Sequence, residues 1–241
     1  MSLPEDFQFE KSFEVGSFQV HPNGKIRLTS LADLLQEIAW LHADSGDFGR
    51  NLLETKQMWA LSRLDIRVEK FPKWGDSLQI FTGGRGADKL FAFREFMVWD
   101  SNQQVLARGM SSWLLLNTET KRIQRPEQVL PLALFDPTKK PAWQPDKIQV
   151  SGELVFQEEI RVRNSDLDLY QHVNNTSYIR WVENTLADLG VFPSRINLNY
   201  VSESLAGQEV KLRVFRGSSE IWVEGKIEDK IVFLVECWPN S

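Results

Sequence analysis

The residues of this sequence that could do chemistry are concentrated in one stretch, RNSDLDLYQHVNNTSYIRWVEN, from Arg163 to Asn184. It holds Asp166, Asp168, Tyr170, His172, Asn174 and Asn175 immediately ahead of a helical pattern. A His four residues after a carboxylate can have its tautomer fixed by that carboxylate. Free N–H groups at a helix start can bind an anion or a developing oxyanion, and the helix dipole adds about 0.3–1 kcal/mol. The same residues also suit an N-cap loop whose carboxylates satisfy backbone donors. Residue types alone support the two readings equally.

The elements that must hold this stretch are legible from periodicity. Tyr178, Ile179, Val182, Leu186 and Leu189 fall at helical spacing, with Asn174 or Asn175 as the cap. An earlier helix is expected from Leu31, Leu34, Leu35, Ile38 and Leu41, capped by Thr29 or Ser30. Each helix gives way to strand-like alternation. Leu64, Ile66 and Val68 alternate with Asp65, Arg67 and Glu69, and Ile196, Leu198 and Tyr200 alternate with Asn197 and Asn199. Gly75 and Gly207 then hold equivalent places in WGDSLQIF and LAGQEVKLRVF. Further strands are expected at about 90–98, 105–116, 220–224 and 231–237. One apolar helix followed by several long antiparallel strands, occurring twice, predicts an α+β protein built from two helix-on-sheet layers. Pro126, Pro131, Pro137, Pro141 and Pro145, with Lys139, Lys140 and Lys147 among them, mark 125–150 as an extended linker. The halves are therefore 1–124 and 151–241.

Composition narrows the function. The formal net charge of −5 comes without a long run of one sign, so a nucleic-acid partner is not expected. A lone cysteine, Cys237, forms no intrachain disulfide and no cysteine zinc cluster. The opening residues MSLPEDFQFEKSF have neither an apolar signal core nor arginine-rich transit character. No segment approaches the roughly 20 apolar residues of a membrane helix. The expectation is a soluble, cytoplasmic protein.

The string DLDLYQHVNN resembles the Asp-x-x-x-His-Val-Asn-Asn signature of hot-dog thioesterases, read at Asp168, His172, Val173, Asn174 and Asn175. More narrowly, the chain is similar to the acyl-acyl carrier protein thioesterase family of plant plastids and bacteria. The similar stretches are LLQEIAWLHADS, WALSRLDIRVEKFPKWGDSLQI and SSWLLLNTETKRI in the first half, with SDLDLYQHVNNTSYIRWVENTL and INLNYVSESLAGQEV in the second. The resemblance runs from about Phe13 to Trp238. It implies a double hot-dog fold, each half a sheet wrapped around a long helix, with one active site served by the second half. It also implies hydrolysis of fatty acyl thioesters on acyl carrier protein, ending fatty acid elongation, with no cofactor and no metal.

The family's catalytic positions are an Asp, an Asn two residues on, a His two further, and a Glu on a later strand. The resemblance places them at Asp168, Tyr170, His172 and Glu203. Tyr170 departs from the family's Asn, and Ser204 stands where plant members commonly carry Cys. A Cys–His nucleophile is excluded here, because Cys237 is the only thiol. The preferred reading makes Glu203 the general base on water, the alternative being a nucleophile that forms a transient anhydride. His172 aids proton transfer, Asp168 orients the site and backbone N–H groups near Asn174 and Asn175 meet the oxyanion. Tyr170 is expected to share the face of Asp168 and His172 if the segment is extended, its hydroxyl contacting His172, Glu203 or substrate. Ser204 as nucleophile is a minor alternative, and Glu183, on the second helix, is held as a reserve base. His21 and His42 read as surface or helix-end residues. The acyl cavity is assigned to the first half, with Trp40 and Trp59 as candidate wall residues. Lys211, Arg213, Arg180 and Arg216 are candidates for meeting an acidic carrier. The competing readings are an acyl-CoA thioesterase and a non-catalytic acyl-binding module. Beyond the carrier, a second copy of the chain is a candidate partner.

Overall fold

The computed structural model describes residues 4, 6–46, 52, 54–129 and 138–239. They fall into two compact units, Met1–Ser62 with Val68–Pro145, and Arg63–Arg67 with Asp146–Ser241. In each, a long helix is paired with an antiparallel sheet, the two repeats of a double hot-dog fold.

The first unit contains β1 (Phe9–Glu14), α1 (Leu28–Asp44), the outer parts of β2 (Gln57–Val68), β3 (Ser77–Asp88), β4 (Phe91–Trp99), β5 (Val105–Asn117) and the short β6 (Ile123–Gln124). Its strand order is β1-β3-β4-β5-β2, with β6 on β5. The expected stripe Leu31, Leu34, Leu35 and Ile38 is the buried face of α1. Each such side chain contributes about 1.5–3 kcal/mol on leaving water. The helix starts at Leu28, with Arg27 in the cap position and no side-chain cap. Thr29 and Ser30, the expected caps, are instead buried in its first turn.

A polar cluster lies inside this unit. Arg94 donates from Nη1 to His42 Nδ1 at 2.9 Å and to Thr82 Oγ1 at 3.1 Å, and the imidazole stacks on Phe9 at 5.5 Å between centroids. Arg85 donates to Glu95 at 2.6 Å. His42 therefore ends the helix, as expected, but from the inside. Burial and the Arg94 charge hold it neutral, its pKa lowered to about 3.

The second unit contains β7 (Glu153–Arg161), α2 (Asn175–Asp188), β8 (Pro193–Tyr200), β9 (Glu209–Arg216), β10 (Ile221–Ile227) and β11 (Lys230–Pro239). Its order is β8-β11-β10-β9-β7, with Arg63–Arg67 of β2 paired antiparallel to β8. Periodicity misses β1 and β7. Both are edge strands, and β7 carries Glu153, Glu158, Glu159 and Arg161, the charge-rich type that blunts an exposed edge. Three polar positions of the alternating strands are buried rather than exposed. Asp65, on the polar side of the alternation, is buried between Arg67 Nη2 at 2.9 Å and Arg195 Nη2 at 2.8 Å. Asn197 and Asn199 are buried because the chain ahead of β7 crosses them. Asn199 Nδ2 donates to Asp146 O at 2.9 Å while its Oδ1 accepts from Ile148 N at 2.9 Å. One side-chain amide thus satisfies two backbone groups as a neighbouring strand would.

The region expected to be an extended linker is more varied. Pro126 opens a 3-10 turn, Pro126–Gln128, and Lys139 pairs with Asp6 at 3.2 Å. Pro131 and Pro137 lie outside the described residues.

The His42 cluster sets an acid-side dependence. An unfolded His titrates near 6.5 and the folded one near 3, so the unfolded chain binds the extra proton between those values. The contribution to stability is complete above about pH 6.5 and is lost as pH falls toward 3. His42→Gln, whose amide oxygen can still accept from Arg94, should flatten the fall of melting temperature between pH 6.5 and 4. An unchanged slope would place the acid-sensitive group elsewhere.

Candidate active site

The chemistry-bearing stretch folds as a tight loop between β7 and α2. Asp166 anchors it: Oδ2 accepts from Arg163 N at 2.7 Å, Oδ1 from Arg180 Nη2 at 2.5 Å, and the carbonyl from Asn174 N at 2.8 Å. Asn174 is the N-cap of α2, its Oδ1 accepting from Thr176 N at 3.1 Å. Between these anchors the chain reverses. Asp168 N donates to His172 O at 2.8 Å and Gln171 N to Asp168 O at 3.1 Å. Gln171 sits at φ 64°, in the left-handed region.

This reversal corrects two expectations. Tyr170 stands at the tip of a turn, 47% exposed, so it does not share a face with Asp168 and His172 by strand alternation. No described hydrogen bond ties its hydroxyl to His172 or Glu203. Asp168 does not bond to the imidazole. Its Oδ1 accepts from the backbone N–H groups of Tyr170 at 2.8 Å and His172 at 3.1 Å. Asp168 shapes the loop, the second of the two readings that the residue types left open.

Glu203 reaches the loop through one backbone tie. Val173 N donates to Ser204 O at 3.0 Å, and His172 forms an isolated antiparallel bridge with Leu205. That register brings His172 Nε2 to 3.5 Å from Glu203 Oε2. The segment is also held from β11: Val201 N and Ser202 N both donate to Val232 O, and Ser202 Oγ to Ile231 O at 3.1 Å.

Beneath the tie is an aromatic floor. Tyr178 packs against Trp181, Tyr200 and Phe233 at 5.2, 5.8 and 5.0 Å between centroids. Burial raises the Tyr178 phenol to about 12, and the nearby charges of Glu203 and Asp168 push the same way while contacts with Ser204 oppose them. Gly225 makes room for Phe233, since a Cβ there would lie 2.1 Å from its ring. Ser204 is completely buried, which removes it as a nucleophile. Cys237 is buried on β11, its thiol pushed up by burial. Glu183 is also buried, 7% exposed, more than two turns into α2.

His172 and Glu203 open into a cleft of about 570 Å³ whose remaining walls are Val201, Ser202, Leu205, Gln208 and Lys230. The site residues expected from sequence thus separate. His172 and Glu203 line the cleft; Asp168, Asn174 and Ser204 build the frame around them. The oxyanion expectation needs correction at Asn174, whose N–H is already donated to Asp166 O. Trp40, 47% exposed on α1, and Trp59, half-buried on β2, belong to the first unit. Among the basic candidates, Arg180 is bound by Asp166 and Arg213 by Glu224 at 3.1 Å, while Lys211 and Arg216 are exposed. Sequence reasoning missed Tyr178, Gln208 and Lys230. Lys230 was within reach: Ile227 and Lys230 flank a two-residue turn, Glu228–Asp229, between two legible strands.

The first unit builds the same loop without the same chemistry. His21 N donates to Lys25 O and Gly24 N to His21 O, both at 2.8 Å, and Ile26 N donates to Pro72 O at 2.8 Å. Lys25 bridges Lys73 as His172 bridges Leu205. Gly75 and Gly207, expected to be equivalent, sit at φ 83° and 80° and donate to Val15 O and Val162 O. Superposing these bonds puts His21, Asn23 and Lys25 at the places of Asp168, Tyr170 and His172, and Phe71 at that of Glu203. Asn23 Oδ1 accepts from Lys25 N at 3.0 Å, the task that Asp168 performs for His172. With Tyr at position 170, that acceptor comes from two residues earlier.

Among the described residues, no cluster of His, Cys, Asp or Glu could hold a metal ion, and no helix is long and apolar enough to cross a membrane. Residues 6–130 match the model of the acyl-ACP thioesterase N-terminal domain, and residues 151–233 that of the C-terminal domain. The chloroplastic oleoyl-acyl carrier protein thioesterase 1 of Arabidopsis thaliana is 29% identical over 201 residues, covering 75% of this chain and 56% of the relative. The chloroplastic dodecanoyl-[acyl-carrier-protein] hydrolase of Cinnamomum camphora is 30% identical over 205 residues, covering 77% and 52%. The chain therefore spans about half the length of these relatives. An acyl-ACP thioesterase from Bacteroides thetaiotaomicron shares the fold at a TM-score of 0.86 and 24% identity, over 96% of this chain and 97% of that one. The 12:0-ACP thioesterase from Umbellularia californica does so at 0.79 and 23%, over 96% and 97%. Matched by both domain models in the order in which its two units occur, the chain belongs to the acyl-ACP thioesterase family.

Proposed function

We propose that this protein is a thioester hydrolase that releases fatty acid from acyl-acyl carrier protein, returning the carrier with its free thiol. The observation that carries the reading is the His172–Glu203 pair, 3.5 Å apart in an open cleft, within a chain that belongs to a family of carrier-protein thioesterases. The names of its relatives support the substrate class.

The separation of Nε2 and Oε2 is longer than a good hydrogen bond. A water bonded to both atoms would sit at the apex of a triangle, its lone pair free to point into the cleft. Glu203, open to solvent, takes a proton from that water as its oxygen attacks the thioester carbonyl. The carbon–sulfur bond then breaks, and the proton taken up by Glu203 passes through His172, 3.5 Å away, to the departing thiolate. Asp168 acts on this chemistry through the loop, by fixing the backbone N–H groups of Tyr170 and His172. Tyr178, held neutral by burial, supports the wall beside Glu203. Ser204 and Cys237 are too deeply buried to attack a substrate.

Purified protein should hydrolyse long- or medium-chain acyl-acyl carrier protein faster than the matching acyl-CoA, scored by release of free fatty acid. Equal or better turnover of acyl-CoA would overturn the carrier assignment, and no turnover of either would favour a binding module. Glu203→Gln and His172→Ala should each lower turnover by about 10²-fold or more, the usual share of positioned acid–base groups.

Asp168 separates loop-building from direct proton transfer. Asp168→Asn keeps an Oδ1 acceptor and should retain most of the stability and turnover. Asp168→Ala strands two N–H groups and should lose about 1–3 kcal/mol in urea unfolding, with a parallel fall in rate. Inactivity of both variants with intact stability would make Asp168 a direct participant.

A further inference from the structure

We propose that Lys230 and Gln208 form a subsite for the amide-bearing pantetheine arm, so that the cleft reads the arm itself before it reads the carrier. This rests on the function proposed above, because the arm is the part of an acyl-carrier substrate that must lie beside the thioester.

Lys230 is the only cation among the residues lining the cleft. It is exposed, and it enters no ion pair among the described residues. Its position is built rather than incidental. It is the first residue of β11, paired with Ile227 across the turn at Glu228 and Asp229. The next residue, Ile231, accepts from Ser202 Oγ at 3.1 Å, and Ser202 precedes Glu203 in the chain. The hydrogen bond that steadies the Glu203 segment therefore also holds the root of Lys230 beside the cleft. Gln208 is oriented in the same sense. Its Oε1 accepts from Leu205 N at 2.7 Å, which leaves Nε2 as the group able to donate.

Of the other polar lining residues, Ser202 spends its hydroxyl proton on Ile231 O, which leaves Lys230 and Gln208 as the donors on offer, and their complement is a ligand with acceptors. Val201 and Leu205, 56% and 48% exposed, supply apolar wall in the same cleft. A ligand that alternates carbonyl acceptors with short methylene runs matches this lining. The pantetheine arm has that pattern, two amides separated by ethylene units.

Size distinguishes the amides from the phosphate at the far end. A rounded cleft of 570 Å³ is about 10 Å across, within the usual range for small-molecule sites. From sulfur to phosphorus the extended arm is about as long as four residues of extended chain, or roughly 15 Å. With the thioester at His172 and Glu203, the amides fall inside the cleft and the phosphate beyond it. An ammonium donating to an amide carbonyl is a charge-assisted hydrogen bond, stronger than a neutral one. Glu228 and Asp229, both exposed in the adjoining turn, would disfavour an anion at this position, which also points away from the phosphate.

The test compares one acyl chain on three thiols: pantetheine, which has both amides and no phosphate; phosphopantetheine; and 2-mercaptoethanol, which has neither amide nor phosphate. Wild type should prefer both pantetheine thioesters to the mercaptoethanol thioester in kcat/KM. Lys230→Met should reduce that preference about tenfold, equally for the two pantetheine thioesters and mainly through KM, with the melting temperature preserved. Lys230→Arg should restore most of it, and Gln208→Leu should reduce it to a smaller extent.

A loss confined to the phosphopantetheine thioester would overturn the assignment in favour of a phosphate contact. An equal loss on all three would overturn it in favour of a general electrostatic effect on Glu203. No loss on any would remove Lys230 from recognition. In each case the wild type is active. Failure of the wild type on every thioester, including acyl-acyl carrier protein, would instead sink the hydrolase reading itself.

Discussion

A single backbone hydrogen bond, from Val173 N to Ser204 O, governs the geometry of the site. His172 belongs to the loop ahead of α2 and Glu203 to the segment after β8, so nothing local in the sequence brings them together. The tie does, and it sets the register in which His172 faces Leu205 and the glutamate one residue before Ser204 turns toward the imidazole. Its two ends are held from different sides. The loop is closed on itself by Asp166 and Asp168, and the 201–205 segment is clasped to β11. Below it, Tyr178 bears on Phe233, and Phe233 lies where Gly225 leaves no side chain. A substitution at Gly225 would thus act on the site from the neighbouring strand β10, through packing alone.

The division of labour among the polar residues follows from this arrangement. Carboxylates are often assigned to catalysis because they can transfer protons, but a loop so short has many backbone donors and few internal acceptors. Asp166 and Asp168 are used on those donors. That leaves Glu203, supplied from another segment, as the carboxylate next to the imidazole and open to solvent. The cleft reflects the same economy: one carboxylate and one imidazole as a pair, with an amide and an ammonium also in its lining.

How far this was readable from sequence depends on the range of the interactions. Helix faces and most strands were legible, because Leu31, Leu34, Leu35 and Ile38, or Tyr178, Ile179 and Val182, report burial through local periodicity. The cap at Asn174 was legible for the same reason. The edge strands β1 and β7 were not, since their exposed faces carry charges that blur alternation. The burial of Asp65, Asn197 and Asn199 is not legible locally, because it depends on partners distant in the chain, namely Arg195 and residues 146–148. In the site, His172 and Glu203 were found through resemblance, and their mutual placement is a property of the fold. Tyr170 was misplaced because the local argument assumed an extended segment, and the left-handed Gln171 turns the chain instead. Lys230 carried no motif at all.

The matched loop of the first unit gives that left-handed residue a further meaning. Gly24 occupies the position at φ 77°, where glycine meets no Cβ penalty, whereas the loop that carries His172 holds Gln171 at φ 64°. A side chain in that region costs on the order of 1–2 kcal/mol. The same backbone path is therefore relaxed in the unit that has Lys25 and Phe71, and strained in the unit that has His172 and Glu203. The molecule contains its own reference state: two copies of one turn, differing in tension and in chemistry together. The energy held at Gln171 is recovered only if the loop lets go, so of the two copies the turn before His172 is the one that carries a backbone cost for staying closed.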